Sequence, residues 1–89
     1  MTALADHIAT ALREERPSQE IASLIAEAEQ SRTVTERDRD AARARALDPT
    51  AGVEAASAAK RATDDLRFEV ERLDCAVEAL RRAHREAKA

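Results

Sequence analysis

Residues 66–87 read LRFEVERLDCAVEALRRAHREA, and within them Leu66, Val70, Leu73, Val77, Leu80, His84 and Ala87 recur at alternating steps of four and three. That is the rhythm of a helix laid against another helix. Carried backwards, the same spacing meets Thr63, Ala59, Ala56 and Gly52. One seam therefore predicts a long helix seeking a partner helix.

Working outward, the clearest break is Asp48-Pro49. Aspartate is a favoured helix cap, and proline at the first helical position forfeits no hydrogen bond. A helix over about 49–87, roughly 57 Å long at 1.5 Å per residue, is expected to start there. Upstream, Ile21, Leu24, Ile25 and Ala28 form one apolar face, and Ala41, Ala42, Ala44, Ala46 and Leu47 resume it after a polar middle. A second helix over about 18–47 follows, capped by Ser18, with Pro17 at its first position as the alternative. With almost no connecting loop, the two helices must double back as an antiparallel hairpin; a single helix bent at Pro49 is the other reading. Folding at 48–49 sets Ile21 against Val77, Leu24 and Ile25 against Leu73, Ala28 against Val70, and the 41–46 alanines against 51–56. The stretch from Glu29 to Asp40, with Val34 between Thr33 and Thr35, is expected to be the weakest part of the fold.

A first helix is expected over about 2–15, with Leu4, Ile8 and Leu12 on one face, Thr2 as cap and Pro17 as terminator. Its partner is either the Leu80–His84 end of the third helix or the boundary of a dimer. The predicted fold class is thus all-α: an antiparallel, coiled-coil-like helical hairpin with a short N-terminal helix, residues 1–89 forming a single domain.

Composition agrees with helices and limits the core. Of 89 residues, 37% are charged and only one is aromatic, and much of the 44% hydrophobic fraction is alanine. A buried Leu or Val contributes roughly 1.5–3 kcal/mol and an Ala far less, so a monomer would be thinly cored and self-association is expected. The net charge of −3 names no partner, but its distribution is uneven. Asp6, Glu14, Glu15, Glu20, Glu27 and Glu29 outweigh Arg13 and Arg16 near the start, whereas Arg81, Arg82, Arg85 and Lys88 outweigh Glu86 near the end. An antiparallel fold places these ends side by side, and each sign also suits a helix terminus. Reading the basic end as a nucleic-acid contact is the weaker alternative, since it lacks aromatic stacking platforms. Lys60 with Asp64, Arg61 with Asp65, Arg67 with Glu71 and Glu78 with Arg82 are spaced for pairs along one solvated helix face.

Chemistry finds little to work with. His7 and His84 have no second ligand at helical spacing, so no metal or cofactor is expected. There is no phosphate loop, nucleophile elbow or acid–His–nucleophile set, so no catalytic residue is named and an enzyme is not expected. His84 reads as a residue at the frayed seam edge. Cys75, the single cysteine, offers no internal disulfide and reads as a small buried hydrophobe. No signal-like segment or membrane-length apolar run occurs, which makes a cytoplasmic, membrane-free protein the expectation.

Phe68 stands apart. It lies about 150–160° around the helix from the Leu66–Leu73 seam, and with Cys75, Ala79 and neighbouring alanines it outlines a second apolar face. That face must meet either the first helix or a second copy. Phe68, Cys75 and Ala79 are therefore the candidate interaction residues, and a homodimer is the expected partner state.

Around Ala46-Leu47-Asp48-Pro49, the alanine-rich run after it, and Asp65-Leu66-Arg67-Phe68-Glu69-Val70-Glu71-Arg72-Leu73, the chain resembles small uncharacterised helical-hairpin proteins. These are encoded in prophage-like regions of alphaproteobacteria. The resemblance spans roughly residues 40–86. It implies a phage or mobile-element setting and carries no functional residue over. The expected role is a structural or adaptor protein acting through helix–helix contacts. The alternative is a small inhibitor, such as an anti-defence factor, presenting a charged helical face to a larger protein.

Overall fold

A computed structural model describes residues 2–88 of the chain, with the side chains of Thr2 and Lys88 excepted. Three helices follow in order: α1 (Thr2–Glu14), α2 (Ser18–Ala46) and α3 (Val53–Lys88). The two long ones pack side by side over most of their length as an antiparallel hairpin, in a rod of 55 × 16 × 14 Å. The side chain of Thr2, the expected cap, is not among those described, and Met1 lies outside the described residues.

The hairpin turn differs from the sequence expectation. Helix α3 begins at Val53, not at Pro49, and residues 47–52 form the connection. Asp48 does accept hydrogen bonds, but as the first residue of a turn. Its Oδ1 accepts from the Thr50 amide at 2.9 Å and from the Thr50 hydroxyl at 2.7 Å, and the Ala51 amide donates to the Asp48 carbonyl at 3.1 Å. Asx-turns and helix caps use the same carboxylate acceptor, and proline suits the second position of such a turn as well as a first helical position. The residue just before α3 is Gly52, whose carbonyl takes the first helical bond from Ala56 at 2.9 Å.

A longer connection resets the register. Arg32 pairs with Asp74, and Arg81 with Glu29, across the hairpin. In the expected register Arg32 would face the region of Leu66, about two turns from Asp74. The structure slides α2 along α3 by roughly a turn, the rest of the offset being the lean of two long side chains towards their own N-termini, and Ala28 belongs to one cluster with Val77 and Leu80. On α2 the buried positions are Ile21, Leu24, Ala28, Thr35 and Ala42. Four of them are spaced by seven, but alanine and threonine make the repeat nearly invisible in the sequence. On α3, Ala59, Thr63, Val70, Leu73, Val77 and Leu80 answer them. The seam read from sequence holds as far back as half-buried Ala56; Gly52 lies outside the helix and is exposed.

The polar middle of α2 remains helical throughout. Val34 points outward at 48% exposure, and Thr35 takes the seam position. The hydroxyls of buried Thr35 and Thr63 donate to the carbonyls of Ser31 and Ala59, four residues back, at 2.8 and 2.7 Å. That bond lets a hydroxyl sit in a core without an unmet donor.

Helix α1 ends at Glu14, three residues before Pro17. Glu15 adopts φ 51°, and the Arg16 amide reaches back to the Ala11 carbonyl at 3.5 Å, the pattern of a left-handed helix C-cap. Pro17 itself occupies the cap position of α2, its carbonyl accepting from the Ile21 amide at 3.1 Å, and Ser18 is already helical. Neither expected assignment at this junction holds. The chain reverses here, so α1 runs antiparallel to α2. Leu4 and Leu12 line one groove with Glu69, Arg72 and Leu73, and Leu12 also lines a second hollow with Ala83 and Ala87. Ile8 and Ala11 enter the crevice between the long helices and join Ile21, Leu24, Ala28, Val77 and Leu80 in the main core. Helix α1 thus packs on both long helices at their open end and leaves the closed half two helices thick.

Candidate interaction surface

The face of α3 opposite α2 carries the largest exposed hydrophobic side chain away from the hairpin tip. Phe68 is 63% exposed on a helix whose seam residues Val70, Leu73 and Val77 are buried. The reason is angular. Two and five residues from Leu66 and Leu73, Phe68 lies on the far side of a 3.6-residue helix, beyond the reach of α2. Helix α1 does not cover it either. It lies one quadrant away, over Leu73, Ala76 and Ala83, and it leaves a groove of about 330 Å³ bordered by Leu4, Ala5, Leu12, Cys75 and Ala79. Phe68 continues the Cys75 and Ala79 edge of that groove about two turns towards the hairpin tip. Of the two sequence readings for Phe68, the intrachain core is therefore excluded.

Cys75 departs from expectation. It is exposed, not buried, because position 75 points away from α2 and lies at the open edge of the groove beside α1. Ala79 is half-buried at the groove wall. The three candidate residues accordingly share one accessible face, which sequence spacing alone had placed together.

The basic end is not one patch. Arg81 lies on the α2 side, with its Nη2 2.6 Å from Glu29 Oε2. This is the contact between acidic start and basic end that the charge distribution leads one to expect. Arg82 and Arg85 are exposed and turned elsewhere around α3, and Lys88 lies outside the residues whose side chains are described. Among the pairs expected along α3, Lys60–Asp64 forms at 3.0 Å, while Arg61–Asp65, Arg67–Glu71 and Glu78–Arg82 do not close. The pairs that sequence reading missed are those set by register or by α2. Arg32 joins both Asp74 and Glu36, and the Asp74 hydrogen bond, opposed by slight desolvation and aided by both carboxylates, raises its guanidinium pKa. Asp48 is held below the ordinary carboxylate range by its hydrogen bonds from the Thr50 hydroxyl and amide.

Among the described residues no three His, Cys, Asp or Glu side chains come together as a metal-binding group, and no helix is long and apolar enough to cross a membrane. His7 is exposed, and His84 is half-buried at the end of the seam. Further apolar exposure sits at the hairpin tip, where Leu47 and Val53 are 65% and 84% exposed. No family model matches the chain, and comparison with curated proteins and with solved structures yields no match.

Proposed function

We propose that the chain is a non-enzymatic structural or adaptor protein that works through helix–helix contacts, as a homodimer joined along the outer face of α3. The observation that carries this reading is Phe68, the sole aromatic residue, standing 63% exposed midway along a 36-residue helix, with Cys75 and Ala79 about two and three turns further along the same face. An aromatic side chain dominates contact energetics when buried, and an apolar stripe bordering an open groove favours association. The hairpin supports it from behind. Helix α2 locks α3 straight through the seam and two cross-hairpin ion pairs, so the outer face is presented on a rigid rod and loses little freedom on docking. Resemblance of residues 40–86 to prophage-region hairpin proteins favours a phage or mobile-element setting for this role.

Light scattering of the full chain at tens of micromolar tests the reading. A mass twice the 9.7 kDa of one chain supports it. A mass of one chain contradicts it and turns the same face towards one-to-one binding of a larger protein, as an inhibitor would bind.

A further inference from the structure

Resting on the reading that α3 self-associates, we infer that two copies pair antiparallel in one register, with Asp64 against Arg82 and Arg61 against Glu86 of the second copy, and Phe68 over Ala79. The exposed face of α3 carries a stripe at helical spacing whose first half is complementary to its reversed second half. Arg61, Asp64 and Phe68 precede the midpoint, near Leu73 and Asp74; Ala79, Arg82 and Glu86 follow it at closely matching distances. Rotating a second α3 by two-fold symmetry about that midpoint brings cation to anion at both outer layers, twice over. It also brings the large aromatic onto a small residue, twice over. Arg72 and Cys75 then cross at the centre. A two-fold contact of this kind is self-complementary and closed, so it ends at a dimer.

Two further observations favour this pairing. All four charged residues are exposed, and Arg61, Arg82 and Glu86 form no ion pair among the described residues, so their charges are free to be used between copies. Asp64 meets only Lys60 and is half-exposed, which leaves its second carboxylate oxygen open. The parallel alternative sets each residue against itself: Arg61 on Arg61, Asp64 on Asp64, Arg82 on Arg82 and Glu86 on Glu86. Like charges directly opposed oppose association, and charge pattern at the flanks of a helix pair sets its orientation. The half-open groove between α1 and α3 lies on the same side of both copies in the antiparallel arrangement, so the two α1 helices approach each other there.

Charge reversal tests the register. Arg82→Glu and Asp64→Arg are compared with the parent and with the double variant by sedimentation equilibrium of the full chain at low salt, with helicity monitored by circular dichroism. Each single change is expected to weaken self-association about tenfold, because it sets two like-charge layers in the interface. The double variant restores the parental affinity, since opposite charges again face one another across both layers with their positions exchanged. A parent that dimerises while the single variants dimerise equally well overturns the register and leaves the self-association reading standing. Singles that weaken without recovery in the double variant also overturn it. A monomeric parent overturns both.

Discussion

Arg81 Nη2 and Glu29 Oε2 lie 2.6 Å apart, although 52 residues separate them in the chain. Helical side chains lean towards the N-terminus of their own helix. In an antiparallel pair, a residue of α2 and one further along α3 therefore converge, and Arg32 reaches Asp74 by the same lean. Once that lean is allowed for, these two contacts agree with the apolar seam on the register of the hairpin.

The register has a direct energetic check. Both side chains of the Glu29–Arg81 pair are about half-exposed, at 49% and 51%, so the pair is expected to contribute only about 0.2–1 kcal/mol. A double-mutant cycle with Glu29→Gln and Arg81→Gln should return a coupling energy in that range that shrinks in high salt. Zero coupling at low salt would mean that the helices are aligned differently.

Core and tip positions should separate cleanly. Leu80 is fully buried at the meeting point of all three helices, and Leu80→Ala is expected to cost about 2–5 kcal/mol. Val53→Ala, at 84% exposure on the hairpin tip, should stay within about 0.5 kcal/mol of the parent. Chemical denaturation of the two variants beside the parent reads the difference.

Much of this was legible in the sequence, and what was not has physical causes. The α3 seam could be read because Leu66, Val70, Leu73, Val77 and Leu80 are large and regularly spaced, and the hairpin followed from it. The α2 seam could be read only in part: Ile21, Leu24, Ala28 and Ala42 stand on the expected apolar face, but Thr35 does not, because hydropathy hardly distinguishes it from its polar neighbours. Asp48-Pro49 signalled a chain reversal correctly but is ambiguous between cap and turn, and the longer connection shifts the register, although Ile21 and Val77 still share the main core. Spacing puts Leu12 on one face with Leu4 and Ile8, yet it borders a groove while Ala11 is buried, because α1 wedges into a crevice between two helices instead of lying flat on one. The outer face of Phe68, Cys75 and Ala79 needed only angular spacing and was visible. Burial of Cys75 depended on where α1 docks, which no local pattern encodes.

The end of α1 holds a conformational cost that can be relieved. Glu15 sits at φ 51°, a region that side chains with a Cβ disfavour and glycine enters freely. Glu15→Gly should raise stability by about 0.5–1 kcal/mol, and Glu15→Val, β-branched at the same angles, should lower it. Thermal unfolding of both variants is the measurement, and a destabilised glycine variant would contradict the left-handed cap.

Acid should act on the hairpin turn. The folded-state pKa of Asp48 is lowered by its Thr50 hydrogen bonds, so its stabilising contribution is present above the ordinary aspartate pKa of about 3.9 and is lost as pH falls through the folded value. Asp48→Asn keeps a turn-forming side chain but cannot titrate there. Its unfolding midpoint should therefore depend less steeply on pH below about 4 than that of the parent. Equal slopes for the two proteins would show that the carboxylate makes no such bonds.

The central claim is that the exposed face around Phe68 joins two copies. Sedimentation equilibrium of the parent and of Phe68→Glu, run together at tens of micromolar with circular dichroism on both, tests it most directly. A dimeric parent and a monomeric Phe68→Glu variant of unchanged helicity is the expected result, because the substitution alters an outward-facing side chain and leaves the seam intact. A parent that sediments as a monomer, or a variant that dimerises as well as the parent, contradicts the account.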